Sequence, residues 1–341
     1  MSISLGEFKS AVLENLLELL WRQWSALGVS GSSRTQEKSV VDPEALLLLT
    51  LTVARYDVRL FDEVLEWVDV NGVFLNVHRL KNLLKQYDFQ AKPQLGALAE
   101  RAGRNSSLAL KWKNLASKYR AEPPEPLFFL KTGKSFPIPD DPDGVFYKHG
   151  LMRGPFNQRG LAQPFPAEGM PSLLLRLRAL LGVNIRCEIL GVLGAVGEIH
   201  PSLLAKRIGH GFRTTQNVLS EMVRSGVIQV RTSSREKLYS LRQGMLADLL
   251  HPGEEQTLWA FSAPMFRALE ILWLGLTDPN QQDLDEAMLA SEWRRTARDM
   301  CPLLGEAEWG QPLRDESLYK GRKYAEVFEA DIKTFLRRLT E

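Results

Sequence analysis

The apolar residues between positions 178 and 242 predict a compact unit that begins with two helices. Apolar residues three and four positions apart predict one buried face on the first helix. These residues are Ile185, Ile189, Val192 and Leu193. Pro201 fits the first turn of a second, short helix that ends near Ile208, because proline lacks the N–H that has no partner there. Gly209 and Gly211 then predict a turn.

A third helix is predicted to begin at Arg213 and to end at Gly226, and its two sides differ in chemistry. One side is suited to packing and carries Thr215, Val218, Leu219 and Met222. The other side carries only hydrogen-bonding or charged residues: Arg213, Thr214, Gln216, Asn217, Ser220 and Arg224. This division predicts a helix that packs on one side and is free to bind a partner on the other.

A β-hairpin is predicted after the third helix. Residues 227–231 and 237–241 have strand-like composition and are separated by a polar segment at 232–236, which we expect to be the loop. The hairpin carries hydroxyl and cationic side chains at and near its tip: Arg231, Ser233, Ser234, Arg235 and Lys237.

Charge is concentrated in this same segment. Residues 178–242 hold ten Lys and Arg against four Asp and Glu, a net charge of +6, whereas the whole chain of 341 residues is +2 and the remainder is therefore −4. A basic unit within an otherwise slightly acidic chain is the pattern expected when one part of a protein meets a polyanion.

Four short motifs in this segment follow one another in the order of a known family. They are Leu181-Gly182 with Arg186 and Ile189-Leu190; Leu204-Ala205 with Ile208-Gly209; Thr214-Thr215 with Leu219, Met222 and Gly226-Val227-Ile228; and Tyr239 with Leu241. Over about 65 residues the chain resembles the winged helix-turn-helix of bacterial regulators of the ArsR and MarR kind. It departs from their pattern at Arg213, where those families usually have a small or polar residue.

The resemblance implies binding of double-stranded DNA, with the third helix in the major groove and the hairpin as the wing. Gln216 and Asn217 suit adenine edges and Arg213 suits guanine, while cations on the wing suit phosphates or the minor groove. The candidate DNA-binding residues are Arg213, Thr214, Gln216, Asn217, Ser220, Arg224, Arg231, Ser233, Ser234, Arg235 and Lys237. The alternative is that these are solvated side chains on a winged helix used for protein contact.

The N-terminal part, residues 1–120, is predicted to be a helical domain. Helices are expected near residues 5–27, 43–56, 60–68 and 77–87, and Asp42-Pro43 is expected to cap the second of them. The last two, joined across Asn71-Gly72, allow a second helix-turn-helix with Arg79, Lys81, Asn82 and Lys85 on its later helix. Packing or dimerisation is the preferred interpretation, because five acids nearby would repel a DNA backbone. They are Asp57, Asp62, Glu63, Glu66 and Asp69.

The remaining boundaries follow from composition. Residues 121–171 contain ten of the eighteen prolines and six glycines, which predicts a strap or linker, and its aromatic residues predict that it packs on the rest of the protein. Residues 172–250 form the predicted winged-helix domain. Residues 251–341 are predicted to be a C-terminal helical region, with helices near 258–276, 284–300 and 319–339.

The sequence gives little support to catalysis or to ligand binding as alternatives to DNA binding. The chain has no phosphate-binding glycine loop, zinc-protease motif or nucleophile elbow, so we expect no enzymatic activity and no cofactor. Cys187 and Cys301 cannot form a disulfide framework, and His200, His210 and His251 lack metal-ligand spacing, so no metal is expected.

The apolar pattern and the motifs together predict the location, fold class and function of the protein. The longest apolar stretch, 45–54, is too short to span a membrane, and the N-terminus lacks a signal peptide, which predicts a cytoplasmic protein. The fold class is mainly α, with a winged helix-turn-helix flanked by helical regions. The expected function is a homodimeric, sequence-specific DNA-binding transcriptional regulator. The alternative is a protein-interaction adaptor or antitoxin-like partner, and an enzyme with a site in the strap is the third possibility.

Overall fold

A computed structural model describes residues 5–31, 37–105, 109–116, 119–138, 140–233, 236–242, 244, 262–281 and 284–340. Within these ranges the protein is mainly helical, as predicted, with fourteen α-helices and two small sheets. None of the described helices is long and apolar enough to cross a lipid bilayer.

Six helices build the N-terminal part. They are α1 (Leu5–Ala26), α2 (Pro43–Val53), α3 (Val58–Asn71), α4 (Val77–Tyr87), α5 (Lys92–Ala102) and α6 (Ala109–Ala116). Asp42 caps α2 as the sequence predicts, because its side chain accepts a hydrogen bond from the Ala45 amide at 3.1 Å and Pro43 occupies the first turn. Every residue of α2 is buried, so this helix is the centre of the N-terminal packing.

The strap, residues 121–171, lies along α3. It contains α7 (Gly144–Lys148) and two short parallel strands, β1 (Glu125–Pro126) and β2 (Leu151–Met152). The five acids that argued against DNA binding by this region all have partners. Arg153 pairs with Asp62 at 2.6 Å, Arg159 pairs with Glu63 at 2.8 Å, and Glu66 accepts hydrogen bonds from strap backbone amides. Asp69 pairs with Arg101, and Asp57 caps α3.

Residues 173–242, which we call the central unit, contain four helices and a three-stranded sheet. In chain order they are α8 (Leu173–Leu181), α9 (Ile185–Val196), β3 (Glu198–Ile199), α10 (Pro201–Ile208), α11 (Phe212–Arg224), β4 (Ile228–Ser233) and β5 (Glu236–Leu241). The strands are antiparallel in the order β3-β5-β4, and Tyr239 at the centre is paired with both Ile199 and Val230. The central unit has its own apolar core.

The hairpin differs from its predicted form. The sequence predicts a five-residue loop at 232–236, but Thr232 pairs with Lys237 and Ser233 with Glu236, so the strands extend to the tip. Strand β3 is not predicted from the sequence, because two residues are too few to show alternation.

Three C-terminal helices, α12 (Ser262–Thr277), α13 (Glu286–Glu306) and α14 (Lys323–Thr340), pack on the N-terminal helices. A single apolar core includes residues from both parts, and the rings of Phe8 and Trp293 lie 5.5 Å apart within it. The N-terminal and C-terminal helices therefore share one core, and the core of the central unit is a separate cluster. We call α1–α6 together with α12–α14 the helical body. Residues 258–261 of the predicted helix at 258–276 lie outside the described ranges.

Candidate nucleic-acid interface

The turn between α10 and α11 sets the direction of α11. His200 caps α10 and Pro201 stands in its first turn. Gly209 ends α10 with φ +68, a left-handed conformation that favours glycine. A Cβ at this position would lie 2.9 Å from Leu83 of α4, so glycine also allows α4 to approach the turn. The turn thus fixes α11 and brings the helical body close to its first residues.

The two predicted sides of α11 are confirmed. Thr215, Leu219 and Met222 are buried, and the Thr215 hydroxyl donates to the Gly211 carbonyl at 3.1 Å. The six predicted DNA-facing residues are all exposed: Arg213, Thr214, Gln216, Asn217, Ser220 and Arg224. We call these six residues the polar face of α11. The Ser220 hydroxyl donates to the Gln216 carbonyl at 2.9 Å. The lone pairs of the Ser220 oxygen therefore remain free to accept a hydrogen bond from a partner.

The two cations on the polar face lack ion-pair partners among the described residues. Neither Arg213 nor Arg224 forms an ion pair within the described part of the chain. The acid of α11, Glu221, is held by Arg186 of α9 at 2.5 Å. The polar face therefore presents two uncompensated guanidinium groups among amide and hydroxyl side chains, a set that can bind both phosphates and base edges.

The hairpin contributes fewer free cations than the sequence predicts. Lys237 on β5 is exposed and has no ion-pair partner among the described residues. Arg231 on β4, in contrast, forms a two-point contact with Glu198 of β3, at 2.6 Å and 3.2 Å. This hydrogen bond lowers the pKa of Glu198 and raises that of Arg231. Ser233 ends β4, while Ser234 and Arg235 lie outside the described residues.

The charge of +6 counted for residues 178–242 overstates the charge that faces solvent. Three of the ten cations pair with acids of the helical body, which that count omits. Lys206 pairs with Glu306 at 2.8 Å and Arg207 pairs with Glu308. Arg178 is buried and pairs with Glu44 at 2.7 Å. The excess of positive charge is therefore concentrated on α11 and the hairpin and not spread over the whole segment.

A buried ion cluster joins the central unit to the helical body. It consists of Asp42, Glu44, Arg79, Arg178 and Glu188, and none of these side chains is more than 3% exposed. Arg79 binds Asp42 at 2.5 Å and Glu44 at 2.8 Å. Arg178 binds Glu44 and Glu188, both at 2.7 Å. Burial alone raises the pKa of Glu44, but the charges of the two arginines outweigh it and lower that pKa to about 2.

Helix α4 contacts the turn that precedes α11. The Arg79 guanidinium donates to the Ile208 carbonyl at 2.9 Å, and the Asn82 amide donates to the Gly209 carbonyl at 2.9 Å. The rings of His78 and His210 are stacked, with centroids 5.7 Å apart. Burial lowers the pKa of His210 to about 4. Arg79 lies in the ion cluster and not on an exposed face of α4, which agrees with the preferred prediction that this part of the chain serves packing.

Groups for metal or thiol chemistry are not brought together in the described part of the chain. No set of three His, Cys, Asp or Glu side chains there is placed to hold a metal ion. Cys187 is buried, which raises its pKa to about 11, and Cys301 is exposed on α13. His251 lies outside the described residues.

Comparisons of this chain with models of protein families, with curated proteins and with solved structures find no match. The polar face of α11 and the charges around it are therefore the basis for the function proposed next.

Proposed function

We propose that this protein is a sequence-specific DNA-binding transcriptional regulator and that its central unit is a winged helix-turn-helix. The observation that carries the proposal is the polar face of α11, where six hydrogen-bonding side chains are exposed on a helix whose other side is packed. The succession of α9, α10 and α11 followed by a hairpin, with the short strand β3 beside it, supports the proposal.

In this proposal α11 enters the major groove, where each base pair presents a distinct pattern of donors and acceptors. Gln216 and Asn217 offer paired donor and acceptor atoms for adenine, and Arg213 offers two donors for guanine. Arg224 and Lys237 neutralise phosphates, which positions the protein without reading sequence. Thr214 and Ser220 bind bases or phosphates through their hydroxyl groups.

We further propose that the regulator acts as a homodimer in the cytoplasm. Two copies related by a two-fold axis place two α11 helices on successive turns of one face of the duplex, about 34 Å apart. A palindromic operator is the sequence that matches this symmetry.

The test is selection of binding sites from a random duplex library, followed by affinity measurements on the enriched sequence. Gln216→Ala and Asn217→Ala should each weaken binding to that sequence by about 1–3 kcal/mol, with little effect on random DNA. Gln311→Ala, which removes an exposed amide far along the chain, is the matched control.

Two results would contradict the proposal. Recovery of no enriched sequence would favour the adaptor interpretation, in which the exposed face of α11 contacts a protein. Equal losses on selected and random DNA would assign Gln216 and Asn217 to phosphate binding.

A further inference from the structure

Helix α4 carries positive charges and no negative charge. Its eleven residues include Arg79, Lys81 and Lys85 and no acid. Arg79 is turned inward to the ion cluster, so it does not contribute to the surface. Apart from Gln86, the less buried positions are His78, Lys81, Asn82 and Lys85. They are spaced three and four residues apart and so form one strip along the helix.

This strip adjoins the residues from which α11 starts. His78 stacks on His210, and Asn82 donates to the carbonyl of Gly209. Both of these partners of α4 lie in the turn before α11. Lys81 and Lys85 continue the same strip. The strip on α4 and the polar face of α11 therefore meet at the turn, although they are about 130 residues apart in the chain.

The two lysines are also free of acidic partners within the described ranges. The carboxylates near the end of α4 already have partners: Asp88 binds Lys92 at 2.8 Å, and Glu306 binds Lys206 at 2.8 Å. Glu306 also accepts a hydrogen bond from the Tyr87 hydroxyl at 2.6 Å. These pairs leave Lys81 and Lys85 as uncompensated cations on the helix that contacts the turn before α11.

We propose that α4 is a second contact with DNA, in which Lys81 and Lys85 bind phosphates that flank the bases met by α11. This inference depends on the function proposed above. The first residues of a recognition helix approach the bases, so the turn before that helix lies at the edge of the groove, beside the sugar-phosphate backbone. A cationic strip that continues from this turn is complementary in charge to that backbone.

The test is a salt titration of binding to a random duplex of roughly 30 base pairs, about three helical turns. Removing two phosphate contacts reduces the slope of log affinity against log salt by about 1.8. We expect this change for the double variant Lys81→Gln, Lys85→Gln and not for Lys81→Arg, Lys85→Arg, which keeps both charges. The matched control is Lys320→Gln, Lys323→Gln, a pair of exposed lysines before and at the start of α14.

The outcomes separate this inference from the proposed function. A double variant Arg213→Gln, Arg224→Gln that weakens binding, together with an unchanged slope for Lys81→Gln, Lys85→Gln, overturns the α4 contact and leaves the function in place. A wild-type protein that binds no duplex overturns both. The thermal unfolding temperature of each variant is the control for structure. A variant that unfolds at the same temperature as the wild type has kept its fold, so a changed slope then comes from lost contacts with DNA.

Discussion

Two pairs of arginines in this protein have opposite surroundings. Arg79 and Arg178 are buried in the ion cluster, and each touches two carboxylates. Arg213 and Arg224 are exposed on α11, and neither has a carboxylate partner in the part of the chain that the structure describes. The position of the acids, and not the number of cations, therefore separates arginines that hold the fold together from arginines that are free to bind a polyanion.

The energetic consequences of the two environments differ in the same way. Removing a charge from water costs several kcal/mol per ion, so a buried arginine is tolerated only when carboxylates and hydrogen bonds offset that cost. An exposed arginine has no such cost, and when it binds a phosphate of DNA it releases cations condensed on the DNA. Substitutions in the first pair should therefore affect stability, and substitutions in the second pair should affect binding.

The largest expected effect is that of Arg178→Met. This change leaves Glu44 and Glu188 buried without one of their counter-charges, so the free energy of unfolding should fall by about 3–5 kcal/mol. Denaturant titration measures it. Arg213→Met is the matched control and should stay within about 0.5 kcal/mol of wild type, because surface changes are usually small. A loss below about 1 kcal/mol for Arg178→Met would mean that the ion cluster does not hold the central unit.

The next effect concerns His210 and acid. Its pKa falls from the ordinary 6.5 to about 4 in the folded protein, so folding favours the neutral ring. The contribution of the neutral His210 ring to the free energy of unfolding is fully present above pH 6.5 and is lost as the pH falls towards 4. After allowance for the partial exposure of the ring, the free energy of unfolding should fall by about 2 kcal/mol. Glu188, Arg79, His78 and Arg178 are the charged or titratable groups around this ring.

The measurement is the free energy of unfolding at intervals between pH 7 and pH 5. The pKa of Glu44 is lowered from 4.5 to about 2, so its contribution to the free energy of unfolding is lost only below pH 4.5. Glu44 therefore does not affect the dependence on pH between pH 7 and pH 5. His210→Gln should flatten the dependence on pH in this window. A His210→Gln protein that loses stability on acidification as steeply as wild type would show that another group is responsible.

The smallest effect concerns the hairpin, where one cation is paired and the other is free. Lys237→Gln should reduce the slope of log affinity against log salt by about 0.9, whereas Arg231→Gln should change it by less than about half as much, because Glu198 already holds Arg231. Glu198→Gln releases Arg231 and should steepen the slope by up to about 0.9. Equal reductions for Lys237→Gln and Arg231→Gln would mean that Arg231 exchanges Glu198 for phosphate on binding.

The local features of the central unit were predictable from sequence. The two sides of α11 follow from helical spacing, and its start follows from the glycines of the turn before it. The N-cap at Asp42 and the proline after it predicted the start of α2. These features depend on residues within one or two helical turns of each other, which is the range over which spacing carries information.

The remaining features depend on contacts between distant residues. Arg178 and Glu44 are 134 positions apart, and no local pattern marks them as partners. Because of this, Arg178 was counted as a cation of the DNA-binding segment although it is buried. The pair of Arg231 and Glu198 was missed for a related reason, since β3 is too short to be recognised and its register places Glu198 in the sheet beside the hairpin.

The contact between α1 and α14 bears on the order in which the protein folds during its synthesis. The Arg22 guanidinium donates to the Leu339 carbonyl at 2.7 Å, across 317 positions of sequence. On the ribosome, α1 has to wait for α14 before the core of the helical body is complete, whereas the core of the central unit comes mostly from residues 170–239. The core of the central unit can therefore form before the helical body, which needs both α1 and α14, is complete.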